Sequence, residues 1–341
     1  MKDSDCSYID NYVNNNILKL VFYVKLAVLP LGFLLYVLFI KVQGWSMCYH
    51  RNINILIISS HSFTLIYTSA AFATTFNELI RFNQQYANFC QYTCSIGAAM
   101  PYMVPNQLGY NGLLFSLSFI LVSSVYFRRY ERWNVTLGIA LFIFLFLLTS
   151  FCTYINFVQP YLMDTQQQTI RTLVIMTKNI RTLSITNYVM TGTTTGTLIL
   201  FHLLLWYNRK NKNINRDVSS KYQMSENIKT IQLLLPMAWT HYICFLPSLV
   251  NILLPALNNY ETKLNNVTAV IYELGDTIVL YPLILPIVLF CTNRVLRNNC
   301  LQLLKCKLTR VNLNQKVVNE HLTTNDHIAS LQNMWNTVNK K

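Results

Sequence analysis

Glu273 and Asp276 stand three residues apart inside an otherwise apolar stretch, residues 267–290. Side chains three apart share one face of a helix, so the two carboxyls project together. Charge placed in a hydrocarbon-like run is costly unless it is paired. Lys25 is the matching cation. It lies about 12 Å beyond Ile17 along the first apolar stretch, at ~1.5 Å per residue. The placement predicts that Lys25 pairs with Asp276 or Glu273, leaving one acid to meet a polar or cationic ligand. A purely structural ion pair is the competing reading. Tyr272, adjacent to Glu273, and Tyr242 complete the candidate ligand-binding set. Around Tyr242, the residues Trp239, His241 and Phe245 form an aromatic group of the kind more often found in a core. His61, among small and hydroxyl residues, reads as a packed and hydrogen-bonded histidine.

No catalytic constellation accompanies these residues. The chain has no Gly-rich phosphate loop, no metal-spaced His/Cys set and no nucleophile elbow, which argues against an enzyme, a metal site or a bound cofactor. The composition, 53% hydrophobic and 12% charged, belongs to a membrane protein rather than a soluble domain. Apolar stretches cover residues 17–42, 52–76, 100–127, 135–158, 188–207, 228–257 and 267–290, each long enough for the roughly 20 residues that cross a bilayer. The expected fold is an all-α membrane protein, a seven-helix bundle over 17–290. An outer tail (1–16) precedes it. A membrane-surface helix (291–308) and a flexible cytoplasmic tail (309–341) follow.

Orientation comes from the basic residues. With the N-terminus outside, the outer segments hold Lys2, Arg81, Arg171, Lys178, Arg181 and Lys263, and the first span holds Lys19 and Lys25. Every other lysine and arginine falls on the inner side. Positive charge on short inner loops fixes topology, so the net charge of +14 faces anionic lipid and cytosolic partners, not nucleic acid.

The elements that must position the chemistry follow. Residues 221–257 begin as a polar helix with Tyr222, Glu226, Lys229 and Leu233 on one face, and Lys221 beside them. The helix then becomes a span carrying Pro236 and Pro247, two candidate hinges. The fourth span is uniformly apolar and expected to face lipid. Gly192 and Gly196, four apart among threonines, suggest a close helix–helix contact in the fifth. Residues 293–308 alternate basic and apolar side chains like a helix lying on the membrane, where Cys300 and Cys306 are candidate lipidation sites.

Three stretches carry a family resemblance. Ser123–Ser124 followed by Tyr130–Glu131 resembles the "A-T, then Y-E" pattern below the third span of nematode serpentine chemoreceptors. Tyr222–Gln223, Glu226–Asn227–Ile228 and the Leu-Leu-Leu-Pro ending at Pro236 are similar to the "Y-Q-x-x-E-N-I, then L-L-x-P" opening of their sixth span. Leu285–Pro286–Ile287 with Asn293–Arg294 resembles the end of their seventh. The classes a, ab, b and e share versions of these. The resemblance implies a G-protein-coupled chemosensory receptor in the plasma membrane, including sensory cilia. Its implied partners are a small-molecule ligand, a heterotrimeric G protein, membrane lipids and, as a further partner class, other receptor copies. Arg128, Arg129, Tyr130 and Glu131, with Lys221, Tyr222, Glu226 and Lys229, are then the G-protein-coupling residues. One departure stands out: where the family has Glu-Arg, this chain has Phe119 and Ile120, which removes the charged lock of the third span. The second outer loop, 159–187, contains no cysteine, so the disulfide common in rhodopsin-like receptors cannot form. Two other classes compete: a seven-span ligand-gated cation channel of insect odorant-receptor type, which would place the N-terminus inside, and a small transporter, which would show duplicated halves.

Overall fold

The computed structural model of the chain describes residues 14–46, 51–83, 94–125, 136–159, 169–170, 180–214, 218–257 and 266–306. In chain order these form α1 (Asn16–Ser46), α2 (Arg51–Asn83), the two-residue strand β1 (Cys94–Ser95), α3 (Ile96–Val125) and α4 (Thr136–Thr153), which runs on as a π-turn over Tyr154–Val158. Then come β2 (Thr169–Ile170), α5 (Ile180–Ile214), α6 (Val218–Leu257), α7 (Asn266–Gly275), a 3-10 turn (Thr277–Leu280), α8 (Tyr281–Thr292) and α9 (Arg294–Cys306). Asn15 caps α1, its Oδ1 accepting from the amides of Ile17 and Leu18 at 3.0 and 3.1 Å, and Asn293 caps α9 in the same way. Both are side-chain acceptors for amides left without a partner at a helix start.

Five segments are long and apolar enough to cross a membrane, by length and composition among the described residues: Asn16–Gln43, Ile53–Asn83, Thr136–Asn156, Tyr188–Asn211 and Glu273–Thr292. The helices α3, of 30 residues, and α6, of 40, rise about 45 and 60 Å and fill the third and sixth places. Neighbours run α1–α2, α2–α3, α3–α4, α3–α5, α5–α6 and α6–α8, and α8 returns to α1 to close the ring.

Without a hydrophobic drive between helices in lipid, close approach and hydrogen bonds decide the packing. The α2–α3 seam shows both. Gly109 lies so near the Tyr67 backbone that an added Cβ would meet the Tyr67 amide nitrogen at 2.6 Å, and one at Gly112 would strike the Phe63 ring. From α3, Ser116 donates to Ser60 on α2 (3.1 Å), Asn111 to Thr153 on α4 (3.1 Å), and Ser118 bonds Thr197 on α5 (2.9 Å). The hydroxyl-rich second segment packs closely, as its composition suggests. The fifth does not do so through its glycines, because a Cβ on Gly192 or Gly196 would meet nothing within 4 Å. Their spacing resembles a contact motif, but Thr194 and Thr197 carry the buried face. The fourth segment turns Phe142, Ile143, Phe144, Phe146, Leu147 and Phe151 outward, the expected lipid face.

Two boundaries differ from expectation. The second helix runs on to Asn83, so Glu78 and Arg81 are buried within it, bonded at 3.3 Å, and Arg81 is not in an outer loop. The seventh segment is not one continuous helix: α7 and α8 are separated by Asp276 and the 3-10 turn.

Gly109→Ala is expected to lower the stability of the detergent-purified receptor by roughly 1–3 kcal/mol, since the α2 backbone has to move. Gly192→Ala should be neutral or slightly stabilising. Thermal unfolding of both variants checks the contrast.

Candidate functional site

On α1 the side chains of Leu18, Phe22, Lys25 and Leu29 are buried while Leu20, Tyr23, Val24 and Leu31 are exposed. This i, i+4, i+7 stripe turns Lys25 into the bundle. There its Nζ donates to Glu273 Oε2 at 2.7 Å and to Asp276 Oδ2 at 2.9 Å. The expectation was a pair with one acid and a second left over; the lysine instead bridges both. The side chains are 9% exposed for Lys25, 0% for Glu273 and 35% for Asp276, so Asp276 is the accessible member.

The bridge coincides with the break in the seventh segment. α7 ends at Gly275, and Asp276 leaves the helical path (φ −75°, ψ 58°) before the 3-10 turn. Gly275 is a weak helix former, and Pro282 and Pro286 remove amides that would bond the preceding turns. The Thr277 hydroxyl then donates to the Cys244 carbonyl of α6 at 2.6 Å, tying the break to the sixth helix. Tyr67 of α2 donates to Asp276 Oδ1 at 3.4 Å, and the Gly109 crossing sets that approach.

Two carboxylates on one ammonium leave an excess negative charge. Glu78, bonded to Arg81, lies close enough for its charge to bear on Glu273. Among buried side-chain atoms without a hydrogen-bond partner are Glu273 Oε1 and the Tyr110 hydroxyl. Tyr110 also lies within reach of the Asp276 charge. Sequence reasoning missed Tyr67 and Tyr110, because nothing in their local context ties them to residues 160 or more positions away. Tyr272 is on α7 beside Glu273. Tyr242 sits elsewhere, edge-on to Trp239 at 6.3 Å, and no described contact joins it to the bridge.

The aromatic group of α6 is core in part. His241, fully buried, stacks on Phe245 at 4.0 Å and meets Tyr281 edge-on at 5.6 Å, and Phe245 touches Tyr110 at 5.3 Å. Trp239 departs from this, being 42% exposed and donating to His202 of α5 at 3.2 Å. His61 bonds Tyr36 through Nδ1 (2.8 Å) and Gln43 through Nε2 (2.9 Å), the packed role read from its context.

On the inner side, Lys221, Tyr222, Glu226 and Lys229 all lie on α6, which is one helix through Pro236 and Pro247. Lys229 is exposed. Arg128, Arg129, Tyr130 and Glu131 lie outside the described residues. Where the charged lock is missing, Ile120 is buried and Phe119 packs on Phe144 at 5.7 Å. Cys300 of α9 packs against the core, half-buried, with its thiol pushed up in pKa by burial. Cys306 ends that helix. Among the described residues no group of His, Cys, Asp and Glu could hold a metal.

The outer connections are joined by backbone. β1 pairs antiparallel with β2, Cys94 opposite Ile170 and Ser95 opposite Thr169. The second outer loop is thus tied to the head of α3 without a disulfide between them.

A family model described as the serpentine type 7TM GPCR receptor class ab chemoreceptor matches residues 3–315. No curated protein matches the chain.

The two-to-one charge ratio makes the bridge asymmetric to mutation. Lys25→Met, which strands two carboxylates, should cost roughly 3–5 kcal/mol, whereas Glu273→Gln, which leaves one balanced pair, should cost under about 2 kcal/mol. Thermal unfolding of the two variants in one detergent reads the difference.

Proposed function

We propose, from the premise that the chain belongs to the serpentine class ab chemoreceptor family, that it detects a small polar molecule arriving from outside the cell and passes the signal to a heterotrimeric G protein. The chain is a multi-pass membrane receptor of a chemosensory family; the ligand site, the coupling and the cell membrane it occupies are the reading offered here. The carrying observation is the Lys25–Glu273–Asp276 bridge at the break of the seventh segment, with Thr277 linking that break to α6. Glu273, Asp276, Lys25 and Tyr272 line the ligand end in this reading. Tyr242, on α6, shifts with the helix rather than touching the bridge.

Ligand binding biases a pre-existing equilibrium between two positions of α6, with Pro236 and Pro247 as the bending points. Its inner end, Lys221 to Lys229, together with Arg128–Glu131, presents the altered basic surface to the G protein. The apolar Phe119–Ile120 pair supports activation without a charged lock in the third helix. The N-terminus is outside and the protein resides in the plasma membrane, including sensory cilia. Lipid on Cys300 requires the half-buried thiol to swing out, and Cys306 at the end of α9 is the second acceptor in this reading.

Epitope tags ahead of Met1 and after Lys341, probed on intact cells while cAMP and calcium respond to an odorant panel, test this. The expected result is an exposed N-tag, a hidden C-tag and responses lost in the Tyr222→Ala/Glu226→Ala variant at unchanged surface level. A hidden N-tag contradicts the receptor reading and favours the channel.

A further inference from the structure

The bridge that positions Asp276 also selects the charge of what can bind there. We propose that the site takes a small organic monocation, a protonated amine, whose ammonium group sits on the Asp276 carboxylate beside the Tyr67 hydroxyl. This rests on the receptor reading above and narrows it to a ligand class.

Four observations carry it. First, Lys25 supplies one positive charge to two carboxylates, so among the described ion pairs this trio carries net negative charge, which favours a cation and opposes an anion. Second, the acids are not equivalent. Glu273 is buried, while Asp276 is 35% exposed, so an arriving ligand meets Asp276 first. Third, Glu273 Oε1 and the Tyr110 hydroxyl are buried without partners; an ammonium with several N–H donors supplies a donor to such acceptors, whereas a hydroxyl supplies one. Fourth, α7 ends at Gly275, and the C-terminal end of a helix favours cations. Half-helix ends of this kind inside a membrane are a recognised arrangement for holding cations.

Aromatic packing backs the site. Tyr110 contacts Phe245, and Phe245 stacks on His241, so the Tyr110 ring rests on the buried aromatic group of α6. A cation beside a tyrosine ring gains from its negative face. The ligand class is therefore a protonated amine rather than an acid or a sugar.

The test uses the full-length receptor in detergent, without G protein, followed by thermal unfolding. The probes are alkylammonium and arylalkylammonium chlorides at constant ionic strength, each beside the alcohol and the carboxylate of the same shape, with sodium chloride titrated in a separate arm. The expected result is stabilisation by ammonium probes alone, retained in Asp276→Glu and weakened about tenfold or more in apparent affinity in Asp276→Asn, as loss of a charge-assisted contact requires. Tyr110→Phe should weaken the same probes less. Equal stabilisation by alcohols, or ammonium responses that are the same in wild type and Asp276→Asn, overturn the proposal. An Asp276-dependent response to sodium with none to any ammonium probe also overturns it, by assigning the site to an inorganic ion. Because no G protein is present, failure here leaves the tag and signalling result untouched, and a hidden N-tag leaves this result untouched.

Discussion

One ammonium shared by two carboxylates, with the lysine and Glu273 buried in the bundle, is the constraint around which the outer half of this receptor is built. Removing three charges from water is expensive and is repaid only by short, well-directed contacts. The 2.7 and 2.9 Å bonds from Lys25 meet that requirement, and they join α1 to the end of α7 and the break that follows it, just ahead of the α1–α8 contact that closes the ring of helices. The lysine thus fixes where the seventh segment can run. The close approach of Gly32 to Leu283 further along the same seam keeps that path narrow.

The break at Asp276 follows from the same constraint. A continuous helix would bury every backbone group in its own ladder. The interruption instead places a carboxylate, a helix end and the Thr277 hydroxyl together, and Thr277 reaches the Cys244 carbonyl of α6. A change of charge at Asp276 and a displacement of α6 therefore share a three-residue stretch of backbone. On the opposite side α3 acts as the pillar. It is bonded to α2, α4 and α5 through Ser116, Asn111 and Ser118, and it sets Tyr67 against the acid through a crossing only glycine permits at position 109.

Much of this was legible in the chain. Apolar run lengths placed the spans, and charge inside two of them pointed to Lys25, Glu273 and Asp276, because membrane burial makes lone charges conspicuous. The exact stoichiometry was not legible, since depth along a helix does not say whether one ammonium reaches one acid or two. Gly192 and Gly196 have the spacing of a contact motif yet face open space, while Gly109 and Gly112, three apart, make the contact; the difference lies in which face the helix turns inward, and a run apolar all round does not reveal that. Arg81 looked like loop charge because composition fades before the helix ends. Tyr67 and Tyr110 were invisible as site residues because tyrosine is ordinary in such runs and their meeting depends on tertiary approach alone.

The most direct measurement is the cost of Lys25→Met taken twice, once in the wild-type receptor and once in a Glu273→Gln/Asp276→Asn background, by thermal unfolding in the same detergent. If Lys25 is there to be shared by the two acids, the large cost in the wild type should shrink to nothing or change sign once both carboxylates are neutral, because the lysine is then itself the stranded charge. An equal cost in both backgrounds would contradict the account, since Lys25 would then matter for its packing and not for the bridge.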